Sequence, residues 1–316
     1  MNSGKEFTKR YIKLMFDQLR DANDEQVREE IEHCRRQNTH PVRVPRNFRA
    51  YFSANIYHGD GYDMQYFTTK PYSDSRKLVL YYHGGACIYQ PVYFHWRFIH
   101  DLSLRLHCRV VMPIYPKSPD YHCQFSNTQL LHFYRDCVQN QDVDQIILMG
   151  DSVGGAFALL HAQLIKENGY RKADNIILFS PSLDLTYSRE TEMKTYEPLD
   201  PMLKLDRVKT LTELWRDNLP AEHYWVSPIF GNLNGLGRIS IFVGTHEILY
   251  LDSVALKEEL EAIGAPHDYF EYDGMFHTFP LFPIPEGFDA LKKIVKALDS
   301  SYLDFGFHEK SERFSQ

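Results

Sequence analysis

The sequence of 316 residues lacks the features that mark several classes of protein. It has only five cysteines, an odd number, and no Cys-x-x-Cys pair, so we expect reduced thiols and a cytoplasmic protein rather than a disulfide framework. It has no apolar run of about 18 residues, so neither a membrane span nor stable membrane insertion is expected. The N-terminal stretch contains no apolar core of signal-peptide length. The 35 Lys and Arg residues are scattered and outnumbered by 42 Asp and Glu residues, which argues against nucleic-acid binding.

Motifs for metals and cofactors are also missing. The His-Glu pair at 246–247 lacks the second histidine of a His-Glu-x-x-His zinc site. The sequence contains neither a phosphate-binding P-loop nor the Gly-x-Gly-x-x-Gly motif of dinucleotide-binding folds. We therefore expect a protein that works without a metal or a cofactor.

The chain does contain a regular alternation of short apolar runs and helical stretches. Two strands joined by a hairpin, at 48–57 and 63–69, come first. Six further runs follow: KLVLYY (77–82), RVVMPI (109–114), QIILMG (145–150), NIILFS (175–180), ISIFVG (239–244) and DYFEY (268–272). Helical stretches lie near 92–106, 125–139, 153–168, 206–217, 252–263 and 286–299. Continuous apolar strands alternating with helices are typical of parallel sheets covered on both faces, so we predict an α/β fold with an eight-stranded, mostly parallel, doubly wound sheet.

Two parts of the chain fall outside this alternation. Amphipathic helices are predicted at 5–21 and 24–36, before the first strand. The connection from Pro181 to Arg238 takes 58 residues, and connections of that length usually have a function of their own, as a lid has. We predict that it carries at least one helix, LDRVKTLTELWRD, over the strand ends.

A serine framed by glycines separates a strand from a helix in the segment GDSVG (150–154). The pattern G-x-S-x-G is that of a nucleophile elbow, where glycines two positions either side of the serine relieve clashes in a sharp turn. Such a serine lies at the carboxyl end of the sheet, where α/β folds bind ligands, and beside a helix N-terminus, which favours negative charge. We predict that Ser152 is a catalytic nucleophile. The alternative is a Gly-rich helix start with a capping serine.

A second glycine-rich loop, HGGACIYQP (83–91), follows the strand KLVLYY. Backbone N–H groups in such a loop can point at an anion, and the tetrahedral oxyanion of acyl transfer needs preorganised donors. We expect Gly84 and Gly85 to supply two N–H groups and Val153 a third. Taken alone, the loop could be an ordinary turn that leaves a strand, and its pairing with the elbow favours the oxyanion hole.

A serine nucleophile needs a histidine that accepts its proton and returns it to the leaving group. The chain has 15 histidines. We choose His277, in the loop GMFHTFP after the last predicted strand, because such a loop can bring it to the carboxyl end of the sheet. His267, at a strand start, and His246, beside an acid, are weaker candidates.

An acid must orient that histidine. Glu247 lies just past the strand ISIFVG and is our choice. Asp252, which we interpret as the N-cap of the helix that starts with SVALKEEL, and Asp184 are the alternatives. The order Ser152, Glu247, His277 along the chain is the order of α/β-hydrolase triads.

Together these motifs resemble those of the hormone-sensitive-lipase-like family of α/β-hydrolases, over about residues 45–300. Members of that family carry an H-G-G-G loop, a G-D-S-A-G-G elbow, an acid in D-P-L and a late H-x-F. The corresponding segments here are HGGA (83–86), GDSVGG (150–155), EIL (247–249) and HTF (277–279). Three residues depart from the pattern: Ala86 replaces the third glycine, Val153 replaces alanine and Glu247 replaces aspartate.

The resemblance implies an α/β-hydrolase fold with a helical cap over the active site. Residues 1–45 would form an N-terminal helical cap segment, 46–302 the hydrolase domain with a cap insertion around 185–235, and 303–316 a C-terminal tail. The implied activity is hydrolysis of small-molecule carboxylic esters with short to medium acyl chains, through an acyl-enzyme on Ser152. An amidase or peptidase on the same scaffold and a non-catalytic small-molecule receptor are the alternatives. The sequence leaves the oligomeric state open, and a homodimer is compatible with it.

Overall fold

Within residues 22–299, which the computed structural model describes, the predicted apolar runs pair into one eight-stranded sheet. The strands are β1 (Phe52–His58), β2 (Asp63–Thr69), β3 (Lys77–Tyr82), β4 (Arg109–Pro113), β5 (Gln145–Asp151), β6 (Asn175–Phe179), β7 (Arg238–Gly244) and β8 (His267–Tyr272). They lie in the order β1-β2-β4-β3-β5-β6-β7-β8. β2 runs antiparallel to both of its neighbours, and the strands from β4 to β8 are parallel. The predicted α/β-hydrolase fold with an eight-stranded, mostly parallel sheet is therefore confirmed.

Helices connect the strands close to the predicted positions. They are α1 (Asp24–Asn38), α2 (Tyr93–Leu106), α3 (Cys123–Cys137), α4 (Val153–Glu167), α5 (Glu190–Tyr196), α6 (Leu205–Arg216), α7 (Tyr250–Ala262) and α8 (Pro285–Leu298). The long connection between β6 and β7 carries α5 and α6, so the predicted helix in it is confirmed. The predicted helix at 5–21 and the predicted tail at 303–316 lie outside the described residues. No helix between residues 22 and 299 is both long and apolar enough to cross a membrane.

One strand begins later than the sequence pattern suggested. We expected a strand from 48 to 57, but Arg46–Tyr51 form a 3₁₀ helix and β1 starts at Phe52. Pro45 precedes this turn, and its carbonyl accepts the N–H of Phe48 at 2.9 Å. The Phe48 ring is buried against Tyr93, with ring centroids 5.4 Å apart, so packing fixes the turn.

The sheet is buried on both faces, which explains why its strands read as continuous apolar runs. In β5, Ile146 and Leu148 contribute to the core on one face, with α3, α4 and α7. Ile147 and Met149 contribute to the core on the other face, with α2 and α8. Because successive side chains point to opposite faces, the interior positions of β5 and β6 are apolar on both faces.

The turn between β5 and α4 depends on two glycines. A Cβ on Gly150 would lie 2.1 Å from the carbonyl oxygen of Gly154, and a Cβ on Gly154 would lie 2.0 Å from the carbonyl oxygen of Tyr82 in β3. The glycines therefore relieve clashes between the backbones of β5, α4 and β3, where we expected clashes with the serine itself. Because these glycines have no side chain, the first turn of α4 can lie in direct contact with the backbone of the sheet.

We expect Gly154→Ala to lower the free energy of unfolding by at least about 3 kcal/mol, because the added methyl group meets backbone that cannot move without separating α4 from β3. Gly169→Asn is the matched control. Its site has nothing within 4 Å of an added Cβ and a φ of +67°, which asparagine tolerates. Urea denaturation measures both variants. Equal, small losses would contradict the proposed close approach.

Candidate active site

Ser152 occupies the tip of the turn between β5 and α4. Its φ of 54° and ψ of −124° are strained for a residue with a side chain. Its N–H donates to the carbonyl of Phe179 in β6 at 2.8 Å, which holds the turn in place. Ser152 lines a cavity of about 430 Å³. The strained turn therefore presents the serine at the N-terminus of α4, where the helix dipole favours negative charge.

His277 lines the same cavity and is paired with Glu247. Its Nδ1 lies 2.6 Å from Oε2 of Glu247, and both side chains are almost fully buried. An ionised carboxylate only accepts hydrogen bonds, so Nδ1 carries the proton and Nε2 is left as the basic nitrogen. The pair therefore has the chemical form of a general base oriented by an acid.

Glu247 is itself held from the ends of two strands. Its Oε1 accepts the N–H of Gly244 at 3.0 Å and the hydroxyl of Ser180 at 2.8 Å. Ser180 in turn accepts the N–H of Thr278 at 2.9 Å, so it fixes both the acid and the residue after the histidine. Sequence reasoning missed Ser180, whose only signal is its place directly after β6.

The pKa of His277 is raised above its ordinary value. Burial alone would lower it, but the hydrogen bond and charge of Glu247 outweigh burial, and the carboxylates of Asp200 and Asp151 add to the effect. The protonated imidazolium is therefore stabilised in this position. A base that must carry a proton during a reaction benefits from such surroundings.

Ser152 and His277 face the same cavity, but no hydrogen bond joins their side chains in the part of the chain that the structure describes. Such a bond is often long in the absence of substrate and tightens when a ligand is bound. The geometry therefore brings the predicted nucleophile and base to one cavity.

The alternative acid and base candidates have other roles. Asp252 is buried within the first turn of α7, where its Oδ2 accepts the N–H groups of Leu183 at 2.7 Å and Asp184 at 3.2 Å. The interpretation of Asp252 as an N-cap is wrong, because α7 begins at Tyr250 and its cap position is Leu249. Burial raises the pKa of Asp252 to about 7.

Asp184 closes a local turn, in which it accepts the N–H of Thr186 at 2.8 Å. His267 is the first residue of β8, so it lies at the amino end of that strand, away from the end that carries Ser152. There its ring nitrogen contacts the carbonyl of Ala265. His246 follows the end of β7, and of the three histidine candidates only His277 lines the described cavity.

We call residues 83–92, which include the predicted loop at 83–91, the glycine loop. Gly85 and Ala86 of this loop line the cavity, as does Val153. The N–H of Gly84, which we predicted to meet a substrate oxyanion, donates to Oδ1 of Asp151 at 3.0 Å, and Gly84 does not line the described cavity. Gly85 and Ala86 have positive φ values of 118° and 49°. The residues that remain to meet an anion are Gly85, Ala86 and Val153, and the sequence did not identify Ala86.

Asp200 connects the long insertion to the acid. This buried residue precedes α6, and its Oδ2 accepts the N–H of Ile248, next to Glu247, at 3.0 Å. Its Oδ1 accepts the N–H groups of Met202 and Leu203. Burial raises the pKa of Asp200 to about 6. No sequence pattern predicted this contact.

The cavity walls are mainly apolar. Side chains from α2, α6 and the segment before α8 provide them: Phe94, Val208, Leu211, Leu281 and Phe282. At one end, Arg207 of α6 pairs with Glu30 of α1 and contacts the hydroxyl of Tyr89. Within the described range, no group of three or more His, Cys, Asp or Glu side chains is arranged to hold a metal. The site therefore suits an apolar ligand with one polar reactive group.

The chain belongs to the α/β-hydrolase fold family, whose model matches residues 79–281, more than half of the sequence. An esterase from Acinetobacter venetianus is 28% identical over 239 residues, which cover 74% of this chain and 78% of that protein. A Staphylococcus aureus protein provisionally named an esterase superposes with a TM-score of 0.81 at 28% identity, over 88% of this chain and 93% of its own. EstE7, a homologue of hormone-sensitive lipase from a metagenome library, superposes with a TM-score of 0.76 at 21% identity, over 93% and 97% of the two chains. The predicted membership of the α/β-hydrolases is therefore confirmed, and the chain shares its fold with this homologue of hormone-sensitive lipase.

Glu247→Gln is expected to lower the pKa of His277, because it removes the main cause of the raised value and leaves burial, which acts in the opposite direction. Titration of the histidine ring by NMR in both proteins measures the shift. Asp252→Asn serves as the control and should leave the titration of His277 unchanged. An unchanged pKa in Glu247→Gln would show that the pairing with Glu247 does not control this histidine.

Proposed function

We propose that this protein is a serine hydrolase that cleaves carboxylic esters. The observation that carries the proposal is the buried pair of His277 and Glu247, whose histidine faces the same cavity as the elbow serine, Ser152. The relatives named as esterases support ester bonds as the target. Ser152, His277 and Glu247 would act as nucleophile, base and orienting acid.

The reaction would follow two stages. Ser152 Oγ attacks the ester carbonyl while Nε2 of His277 takes its proton, and the imidazolium then gives that proton to the departing alcohol. The acyl-enzyme is cleaved by a water that His277 activates in the same way. The N–H groups of Gly85, Ala86 and Val153 would stabilise the oxyanion of each tetrahedral intermediate, with the N-terminus of α4 behind them.

The cavity supports a short to medium acyl chain as the preferred substrate. A volume of about 430 Å³ with apolar walls accommodates a chain of several carbons together with a small alcohol. One wall comes from α6 and the residues just before it, so we propose that the insertion around 185–235 acts with α1 as a cap over the site. Residues 46–302 would then form the hydrolase domain.

Hydrolysis of p-nitrophenyl esters from acetyl to palmitoyl tests the proposal directly. We expect turnover of the short chains by the wild-type protein, and a loss on the order of 10⁴-fold or more in kcat for Ser152→Ala, because no other group can form the acyl-enzyme. Circular dichroism would verify that the variant is folded.

Matched amide substrates belong in the same assay. Faster turnover of amides would favour an amidase or peptidase, and ligand binding without any turnover would favour a receptor.

Glu247→Gln and Asp252→Asn separate the proposed acid from its neighbour. We expect Glu247→Gln to lower kcat by about 10²-fold or more, because an amide cannot orient and stabilise the imidazolium as a carboxylate does. Asp252→Asn should stay within about fivefold of wild type, because the amide oxygen still accepts the N–H groups of Leu183 and Asp184. Steady-state kinetics measure both variants, and the reverse order of effects would assign the acid to Asp252.

The pH profile gives an independent check. His277 must be neutral to act as a base, so kcat/KM should fall as the pH drops through its raised pKa. In Glu247→Gln this acid limb should move to lower pH.

A further inference from the structure

The residue before the nucleophile, Asp151, is a buried carboxylate that the proposed reaction does not use. Its Oδ1 accepts the hydroxyl of Tyr81 in β3 at 2.6 Å and the N–H of Gly84 at 3.0 Å. Its Oδ2 lies 3.2 Å from Nε2 of His95 in α2, and both of these side chains are almost fully buried. Three donors from three different segments therefore meet on one carboxylate.

The hydrogen bonds determine the tautomer of His95. The N–H of Val92 donates to Nδ1 of His95 at 2.9 Å, so that nitrogen carries no proton. Nε2 then carries the proton, and this N–H donates a hydrogen bond to Oδ2 of Asp151. Both ring nitrogens are satisfied in the neutral form, and the ring links the backbone at Val92 to the carboxylate.

Both ends of the glycine loop are thereby attached to Asp151. Gly84 binds it directly at the start of the loop, and Val92 binds it through His95 at the end. A Cβ on Gly84 would lie 2.2 Å from Oδ2 of Asp151, so the loop and the carboxylate could not approach this closely with any other residue at that position. Between the two attachments lie Gly85, with a φ of 118° that glycine adopts readily, and Ala86, with a φ of 49° that is uncommon for a residue with a side chain and persists only when its surroundings hold it.

We propose that Asp151 is a positioning residue for the oxyanion hole. It fixes the N–H groups of Gly85 and Ala86 relative to the hydroxyl of Ser152, because it anchors the glycine loop to the residue that precedes the nucleophile. The inference rests on the proposed function of Ser152. Its physical basis is preorganisation, since donors that are already oriented toward the developing charge need no rearrangement during the reaction.

The charge of Asp151 agrees with this role. Burial alone would raise the pKa of Asp151, but its hydrogen-bonding neighbours, His95 first among them, hold the pKa below its usual range. A buried carboxylate of this kind is stable only while its donors remain in place. The ionised group therefore resists displacement of Gly84 and of His95, which hold the two ends of the loop.

Asp151→Asn tests the proposal with esters and with an alkyl boronic acid, which forms a tetrahedral adduct on a catalytic serine. The amide NH₂ of the asparagine would replace one of the two carboxylate oxygens, so a donor would face the N–H of either His95 or Gly84. Because two donors cannot form a hydrogen bond, one end of the loop would be released. We expect kcat to fall by about 10²-fold, as for the loss of one oxyanion donor, with KM within about threefold. The affinity for the boronic acid should fall by a similar factor.

Tyr81→Phe is the matched control. It removes a hydrogen bond to the same oxygen of Asp151, but from strand β3, which lies outside the glycine loop. Its thermal stability should fall about as much as that of Asp151→Asn, whereas kcat and boronic acid affinity should stay within about threefold of wild type. This comparison separates loop positioning from a general loss of stability.

His95→Asn provides a second test that does not depend on the folding of Asp151→Asn. Its side chain is too short to join Val92 to Asp151, so the far end of the loop is released, and we expect a fall in kcat of about tenfold. Kinetics of both variants no different from those of Tyr81→Phe would overturn the proposal. An inactive wild type, or activity that survives in Ser152→Ala, would instead overturn the proposed function itself.

Discussion

The close approach of α4 to strands β3 and β5 determines where the other parts of the site lie. The backbone of α4 at Gly154 touches the end of β3 at Tyr82, and the same helix turn meets β5 at Gly150. This contact leaves Ser152 in a strained conformation at the end of the sheet. It also places the helix N-terminus beside the loop that continues β3. The proposed nucleophile and the proposed anion donors are therefore neighbours because the backbones are packed without side chains between them.

Buried carboxylates hold this arrangement together, and their partners give them different roles. Asp151, Asp200 and Asp252 each accept backbone N–H groups from a segment distant in sequence, so each connects two separate segments of the chain. Glu247 also accepts a backbone N–H, but its second oxygen faces the ring of His277. A buried carboxylate is costly unless its hydrogen bonds are satisfied, so these residues resist any movement of the loops that satisfy them. The proposed orienting acid, Glu247, differs from the other three carboxylates in its partner, the proposed base His277, rather than in its burial.

The sequence predicts the parts of the site that depend on position along a strand. Ser152, Glu247 and His277 each follow a recognisable strand, and the carboxyl ends of parallel strands share one edge of the sheet. The fold follows from the same apolar runs. The role of Gly84 was not predictable in this way, because its N–H is used by a carboxylate 67 residues away. The partners of Asp252 and Asp200 likewise depend on the parts of the long insertion outside its predicted helix, where the sequence offers no periodic pattern.

Hydrogen bonds connect the cavity walls to the segments that carry the proposed acid and the proposed anion donors. Asp200, just before α6, binds the N–H beside Glu247. The cluster of Glu30, Tyr89 and Arg207 joins α1, the glycine loop and α6. A ligand that displaces α6 must therefore disturb the segment of the proposed acid, Glu247, through Asp200. It must also disturb the glycine loop, through Arg207 and Tyr89. Asp200 is buried, and the side chains of Arg207 and Glu30 are only 11% and 16% exposed. Because separating either connection would cost free energy, we expect the walls to move together with the residues that they contact. The shape of the cavity and the alignment of Glu247 with Gly85 and Ala86 therefore depend on the same contacts.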